Sequence, residues 1–336
     1  MKQPPKLRWN SFAEFLHERA TAGGDRVALS LFEGTWQHVS YSQLLKRAEL
    51  RAQNLTTSGH QPGDRVALLS PTSLALAEEF LALLILGVIA VPLDPKLTLP
   101  EICDVLNHLE PRTLIVAPEL QAMGVELKAK AGFSKLILLS PLPAKPFAEI
   151  NAPPLPRRDA AETAAIFYTS GTLGSAKGVM VSARAILTEL TILTGFRENN
   201  ADDVIFSILP LNHLYGVTAG LLYSVACGSE YVFATSLKPE DISRCLNDRK
   251  VTQMNVVPLL LNLMRRGIQR RISELPASSR RVAELSLKIA PCLPEFARRR
   301  LFRSIHQKLG GRLRGAVSGA APLDPATFQF FRAIGA

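Results

Sequence analysis

The sequence predicts an α/β fold of two doubly wound, mostly parallel sheets with flanking helices. Short apolar and β-branched runs alternate with helical patterns along the chain, which is the rhythm of β-α-β units. Capping signals mark several junctions, a Ser standing three residues before Glu or Gln. A proline-rich stretch without periodicity, at 141–158, separates two such halves. The expected organisation is therefore a first α/β subdomain over 1–150 and a second over 151–336.

In the first half, Ser11 and Glu14 form a capping box that opens a helix through Ala20. Arg26 to Leu31 reads as a strand, turned at Gly34 into a hairpin partner at Thr35 to Val39. Ser40 and Gln43 cap a helix that spaces Leu44, Leu45, Ala48 and Ala52 along one face. A strand at Arg65 to Ser70 follows, then a helix to about Gly87 and a strand at Val88 to Pro92. The apolar run Phe80 to Val91 is too short to span a bilayer and follows Glu78 and Glu79, so it reads as a buried helix entering a strand. Leu99 to His108 is helical, and Thr113 to Ala117 and Lys135 to Leu139 are strands.

In the second half, Thr163 to Tyr168 is a strand, 169–178 a loop, and Ser182 to Leu193 a helix. Further strands are read at Val204 to Leu209, Glu230 to Phe233, Gln253 to Val257 and Leu313 to Val317. Helices are read at Gly216 to Ala226 and Lys238 to Asp248, and a basic helical stretch precedes the last strand.

An apolar share of 47% and a charged share of 20% belong to a globular protein with a sizeable core. Cys103, Cys227, Cys245 and Cys292 are scattered without a C-x-x-C pair. That argues against a disulfide framework or zinc site and for a reducing cytoplasm. The first residues lack the apolar segment of a signal peptide. The net charge of +10 is local: residues 265–314 hold fourteen Lys/Arg against Glu274, Glu284 and Glu295, an excess of +11, and the remainder sums to −1. A basic face is expected rather than a nucleic-acid binder, since interleaved aromatics are missing.

The stretch Phe167 to Met180, FYTSGTLGSAKGVM, carries the chemistry. Placed between strand and helix, its backbone N–H groups and the helix dipole would suit a phosphate. Thr169, Ser170, Thr172 and Ser175 add hydroxyls, Gly171 and Gly174 allow close approach, and Lys177 supplies a mobile charge. It is not a Walker A loop, because Ala176 precedes the lysine and Gly178 follows it. On composition alone, a turn rich in small residues is the alternative.

YTSGTLGSAKGVMVS resembles the phosphate-binding signature of the adenylate-forming superfamily. Three further stretches are similar to that family in the same order: LLILGVIAVPLDP from Leu83, ILPLNHLYG from Ile208, and GAVSGAAPLDPATFQFFRAIGA from Gly315. The last of these, with HQKLGGRLR before it, is most similar to bacterial long-chain acyl-CoA synthetases and acyl-ACP synthetases.

The resemblance implies ATP-dependent activation of a fatty acid, of long chain by the narrower likeness, to acyl-AMP, followed by transfer to CoA. An acyl-ACP synthetase, a fatty-acyl-AMP ligase, or a non-catalytic or split nucleotide-binding remnant stand as alternatives. By match, Thr169, Ser170, Gly171, Thr172, Gly174 and Lys177 hold the β/γ-phosphates of ATP, with Mg²⁺ bridging phosphate oxygens. His213 lies near the substrate carboxylate, and with Lys177 it forms the catalytic pair. Tyr215, Gly216, Val257 and Pro258 line the acyl pocket, and Ser318, Gly319, Ala320, Ala321 and Pro322 lie against adenine. Leu173 replaces a usual hydroxyl and Ala176 a common proline.

By the same likeness, the aromatic-Gly-x-Thr-Glu motif, the ribose-holding Asp, the C-terminal barrel and the small domain with its lysine fall beyond Ala336. The chain is then an incomplete N-terminal portion, inactive alone, with the CoA site elsewhere and a separate chain as one source of the missing part. The basic region 265–314 is expected to meet an anionic membrane surface or an acyl carrier protein, which places a cytoplasmic protein at the inner membrane face.

Overall fold

The structure is a computed structural model that describes residues 7–142, 162–169, 177–196, 199–234 and 236–336. The boundary expected at 150 falls outside these residues. Two compact units emerge, 1–201 with 210–230, and 202–209 with 231–336. Two mixed sheets with flanking helices make up the fold. The expectation of mostly parallel sheets needs one amendment, because two antiparallel hairpins are built in.

The first unit opens with α1 (Phe12–Gly23), capped by Ser11, whose hydroxyl accepts from the Glu14 amide. Glu14 reaches back to the Asn10 amide at 2.8 Å, one residue beyond the expected capping-box partner. The antiparallel strands β1 (Val27–Glu33) and β2 (Thr35–Ser40) follow as read. Helix α2 (Tyr41–Thr57) carries a complete capping box from Ser40 and Gln43. Next come β3 (Arg65–Leu69), α3 (Leu74–Leu86), β4 (Ile89–Leu93), α4 (Leu99–Leu109), β5 (Thr113–Val116), α5 (Gln121–Lys130), β6 (Lys135–Leu138), β7 (Thr163–Thr169), β8 (Lys177–Ser182) and α6 (Ala183–Phe196). A π-helix at Gly216–Leu222 runs into α7 (Tyr223–Cys227), where a plain α-helix was expected.

The sheet order is β6-β5-β3-β4-β7-β8, parallel throughout except for the terminal β7–β8 pair. Strand β4 is apolar along its whole length, and β3 and β5 are apolar after their first residues, Arg65 and Thr113, because both faces are covered. Val91, Leu93, Leu114 and Val116 of these strands meet Ile102, Val105 and Leu106 of α4 and Leu127 of α5 in one core. Helix α3 is buried on every side, and Gly87 ends it in a left-handed cap before β4. Its two acids are held by α2. Glu78 accepts from Arg47 at 2.7 Å and from Arg51 at 2.9 Å, and Glu79 accepts from Arg51 at 3.0 Å. Burial raises the Glu79 carboxyl above its ordinary range, against the pull of Arg51.

The second unit contains β9 (Val204–Ser207), β10 (Glu230–Phe233), α8 (Pro239–Asp248), β11 (Gln253–Val256), α9 (Pro258–Ser273), α10 (Ala277–Ile289), α11 (Glu295–Leu301), α12 (Arg303–Lys308), β12 (Gly315–Ser318) and α13 (Pro325–Ile334). Its strands lie in the order β12-β11-β9-β10, with β9, β11 and β12 parallel. The basic stretch resolves into α9 to α12. Gly310 has φ +86°, and a Cβ there would lie 2.1 Å from the Leu246 carbonyl oxygen. That accounts for a glycine in the GG pair before the last strand.

Part of the basic charge is structural. Arg299 donates to the carbonyls of Gly335 at 3.0 Å and Leu313 at 2.8 Å, and Arg298 to that of Arg332. The Arg332 and Gly335 carbonyls lie at the C-terminal end of α13, where positive charge is favourable. Arg314 pairs with Asp203, and Arg265 with Asp324.

Candidate functional site

The glycine-rich stretch is positioned by a β-hairpin. Strands β7 and β8 pair antiparallel, with Tyr168 opposite Gly178 and Thr169 opposite Lys177. Thr169 and Lys177 therefore face each other at the open end of the ladder, both exposed. Residues 170–176 join them, so Ser170, Gly171, Thr172, Leu173, Gly174 and Ala176 lie outside the described residues. The expected helix N-terminus is not there, because α6 starts six residues after Lys177. Among the described residues, what the hairpin offers at the base of this segment is the Thr169 hydroxyl and the Lys177 ammonium.

The cross-strand pair below explains Gly178. A Cβ on Gly178 would stand 3.0 Å from the Ile166 side chain and 3.3 Å from the Tyr168 ring. The bare glycine leaves room for that ring, whose hydroxyl shares a hydrogen bond of 2.8 Å with His108 Nδ1. Burial raises the Tyr168 phenol above its usual value, so it stays a protonated donor at neutral pH. Strand, glycine and histidine together brace the base of the loop. This brace was missed in the sequence, since His108 and Tyr168 are sixty residues apart and carry no shared motif.

His213 sits on a second segment of the same unit. The Leu211 amide donates to Thr72 Oγ1 at 3.3 Å, just past the end of β3, and Leu211 and Asn212 are buried. The His213 amide donates to the Pro210 carbonyl and its own carbonyl accepts from Val217, closing a tight turn into the π-helix. The imidazole is exposed. Tyr215 and Gly216 follow in the same turn, and Gly216 begins seven consecutive buried residues of π-helix. Such wide turns are uncommon and are found mostly at functional positions. Burial raises the Glu189 carboxyl, while a hydrogen bond with Thr218 of the π-helix opposes that shift.

The remaining candidates meet in the second unit, at the carboxyl ends of its parallel strands. Val257 and Pro258 follow β11, with Pro258 at the first position of α9, where its missing N–H costs nothing. Val256 pairs with Ser318 in register, and the Gly319 amide donates to the Val256 carbonyl at 3.2 Å. Ser207 and Asn255 stand in register on the neighbouring strands. Ligands of parallel α/β sheets bind at such strand ends.

Two features distinguish this edge. The Ser318 hydroxyl is buried without a hydrogen-bond partner among the described residues. Ala320 has φ +69°, a left-handed conformation that costs a non-glycine residue about 1–2 kcal/mol. Ala321 and Pro322 then lead, exposed, toward α13. Its N-cap Asp324 accepts from the Ala326 amide, which holds its carboxyl below the ordinary value.

Among the described residues no group of three His, Cys, Asp or Glu is arranged to hold a metal ion. The described Thr169 hydroxyl and Lys177 ammonium are hydrogen-bond donors of the kind that suit phosphate oxygens.

Three comparisons place the chain among known proteins. It is 26% identical over 323 residues to a chloroplastic long-chain-fatty-acid–[acyl-carrier-protein] ligase of Arabidopsis thaliana, covering 86% of this chain and 44% of that protein. It is 31% identical over 195 residues to long-chain-fatty-acid–CoA ligase 1 of Homo sapiens, covering 54% of this chain and 26% of that protein. Its fold is similar to that of a Mycobacterium tuberculosis fatty acyl CoA synthetase, with a TM-score of 0.75 at 21% identity, covering 98% of this chain and 59% of that one. The chain spans at most about half the length of the curated relatives it matches. The model of the AMP-binding enzyme family matches residues 16–336, so the chain belongs to the AMP-binding enzymes.

Proposed function

We propose that this chain serves ATP-dependent activation of a long-chain fatty acid to acyl-AMP, ahead of transfer of the acyl group to a thiol. In that reaction a carboxylate oxygen attacks the α-phosphorus of ATP and the bond to pyrophosphate breaks. The attacking and leaving groups are both anionic, so the protein's work is positioning and charge compensation. The observation that carries the reading is the register of β7 and β8. It sets Thr169 and Lys177 opposite each other at the two ends of a segment whose sequence is rich in glycines and hydroxyls, and we assign these groups to the β- and γ-phosphates.

His213, presented outward by a buried turn, is assigned to the carboxylate end of the acyl substrate, with Tyr215 and Gly216 beside it. Val257, Pro258 and the segment Ser318 to Pro322 are assigned to the acyl wall and the adenine. The unpartnered Ser318 hydroxyl supports a polar guest there. Mg²⁺, when bound, would neutralise phosphate charge. The long-chain assignment rests on the names of the relatives. The thiol acceptor is CoA or a carrier protein, and a relative of each kind is found.

Nucleotide titration of the chain and of Lys177→Ala tests the assignment. Loss of a charge-assisted hydrogen bond, worth about 1.5–3 kcal/mol, should weaken ATP binding by roughly tenfold to a hundredfold while leaving far-UV circular dichroism unchanged. Equal affinities for the two proteins would remove Lys177, and the hairpin reading with it.

A further inference from the structure

Helix α10 is turned inside out. It packs against α9 and α13 and carries Arg280, Ala283, Leu287 and the buried Ser286 on its covered side. On the opposite side Val282 is 66%, Leu285 59% and Ile289 48% exposed. These positions recur at spacings of three, four and seven, so they form one stripe along the helix. Arg281 and Lys288, also seven apart and exposed, run alongside it. Glu284 is the helix's one acid. The adjoining α9 repeats the theme, with Leu263 half exposed and Arg266 exposed one turn later.

We infer that the outer face of α10, with the adjoining face of α9, docks on an anionic lipid surface. A helix of thirteen residues presents a ridge about 20 Å long, on which cations outnumber the single acid Glu284. A protein partner would need a matching groove, and a second copy of this chain would set like charges against each other. A fluid bilayer interface receives any convex apolar stripe and gains from the flanking cations. Burial of apolar side chains below the headgroups and attraction of Lys and Arg to anionic lipid then act together. Nucleic acid would use the charge but gain nothing from three protruding aliphatic side chains.

Co-sedimentation of the full chain with extruded vesicles tests this without nucleotide or acyl substrate, so its outcome is independent of the proposed reaction. The chain should pellet with phosphatidylglycerol-containing vesicles, stay in solution with pure phosphatidylcholine, and be released by added salt. Replacing Leu285→Glu with Ile289→Glu should lower the bound fraction at least about tenfold. Arg281→Glu with Lys288→Glu should do the same. All four positions are exposed, so circular dichroism should match the parent. No binding to anionic vesicles, equal binding to neutral ones, or undiminished binding of either variant overturns the inference. So does an α10-dependent complex with an acidic carrier protein in the absence of vesicle binding.

Discussion

Helices α3 and α10 are each thirteen residues long, yet the chain buries one on every side and leaves the other with its aliphatic residues in solvent. In α3 even Glu78 and Glu79 are enclosed, because Arg47 and Arg51 reach them from α2. In α10 only Ser286 is buried. The two differ in apolar content, eleven of thirteen residues in α3 against six of thirteen in α10, and also in what surrounds them. A helix between a parallel sheet and a second helix has neighbours for all its faces, whereas α10 has them on one side only.

Substitutions should expose that contrast. Glu78→Ala would leave the buried Arg47 guanidinium without its counter-charge and Arg51 with Glu79 alone, and should destabilise the first unit by about 3–5 kcal/mol, read from the midpoint of urea unfolding. A shift near zero would mean that water reaches this network. Leu83→Ala in α3 should cost about 2–5 kcal/mol, because the surroundings cannot collapse fully onto the cavity. The matched Leu285→Ala in α10 should stay within about 0.5 kcal/mol. Equal costs for the two leucines would erase the comparison.

Acid should treat the two regions alike, since each hides one imidazole. His60 donates from Nδ1 to the Leu55 carbonyl and accepts at Nε2 from Thr113; His306 donates from Nε2 to the Ile334 carbonyl. Burial depresses both below the ordinary histidine value. The unfolded chain then binds more protons than the folded one. Stability from these groups is present above about pH 6.5 and is lost as pH falls toward the folded values. His60→Gln and His306→Gln should each flatten the fall in thermal midpoint below that pH, and an unaltered slope would count against the assignment.

Much of the fold was legible in the sequence because its strands and caps are local signals. The complete capping box at Ser40 and the αL glycine after α3 are decided within a few residues. Helix α5 was not read, since its QAMGVELKAK pattern buries only Gly124 and Leu127 and so lacks a strong apolar stripe. Strand β8 was not read either: it lies at the end of the sheet order, exposes Val179 and Met180, and has a lysine and glycine at its start. The candidate site residues were assigned through a motif. What braces them was not, because the Tyr168–His108 bond, the Thr72 anchor and the left-handed Ala320 depend on contacts or angles that no spacing encodes.

By itself the amino-acid order determined the alternation of strands and helices, the family likeness, and the concentration of positive charge between Arg265 and Arg314. These follow from nearest-neighbour preferences and composition, which act before any long-range contact forms. Only the tertiary structure decided that the glycine loop closes a hairpin instead of opening a helix, and that α10 keeps its aliphatic side outward. Both depend on which surfaces the rest of the chain covers, and burial is a property of the assembled packing, not of the segment.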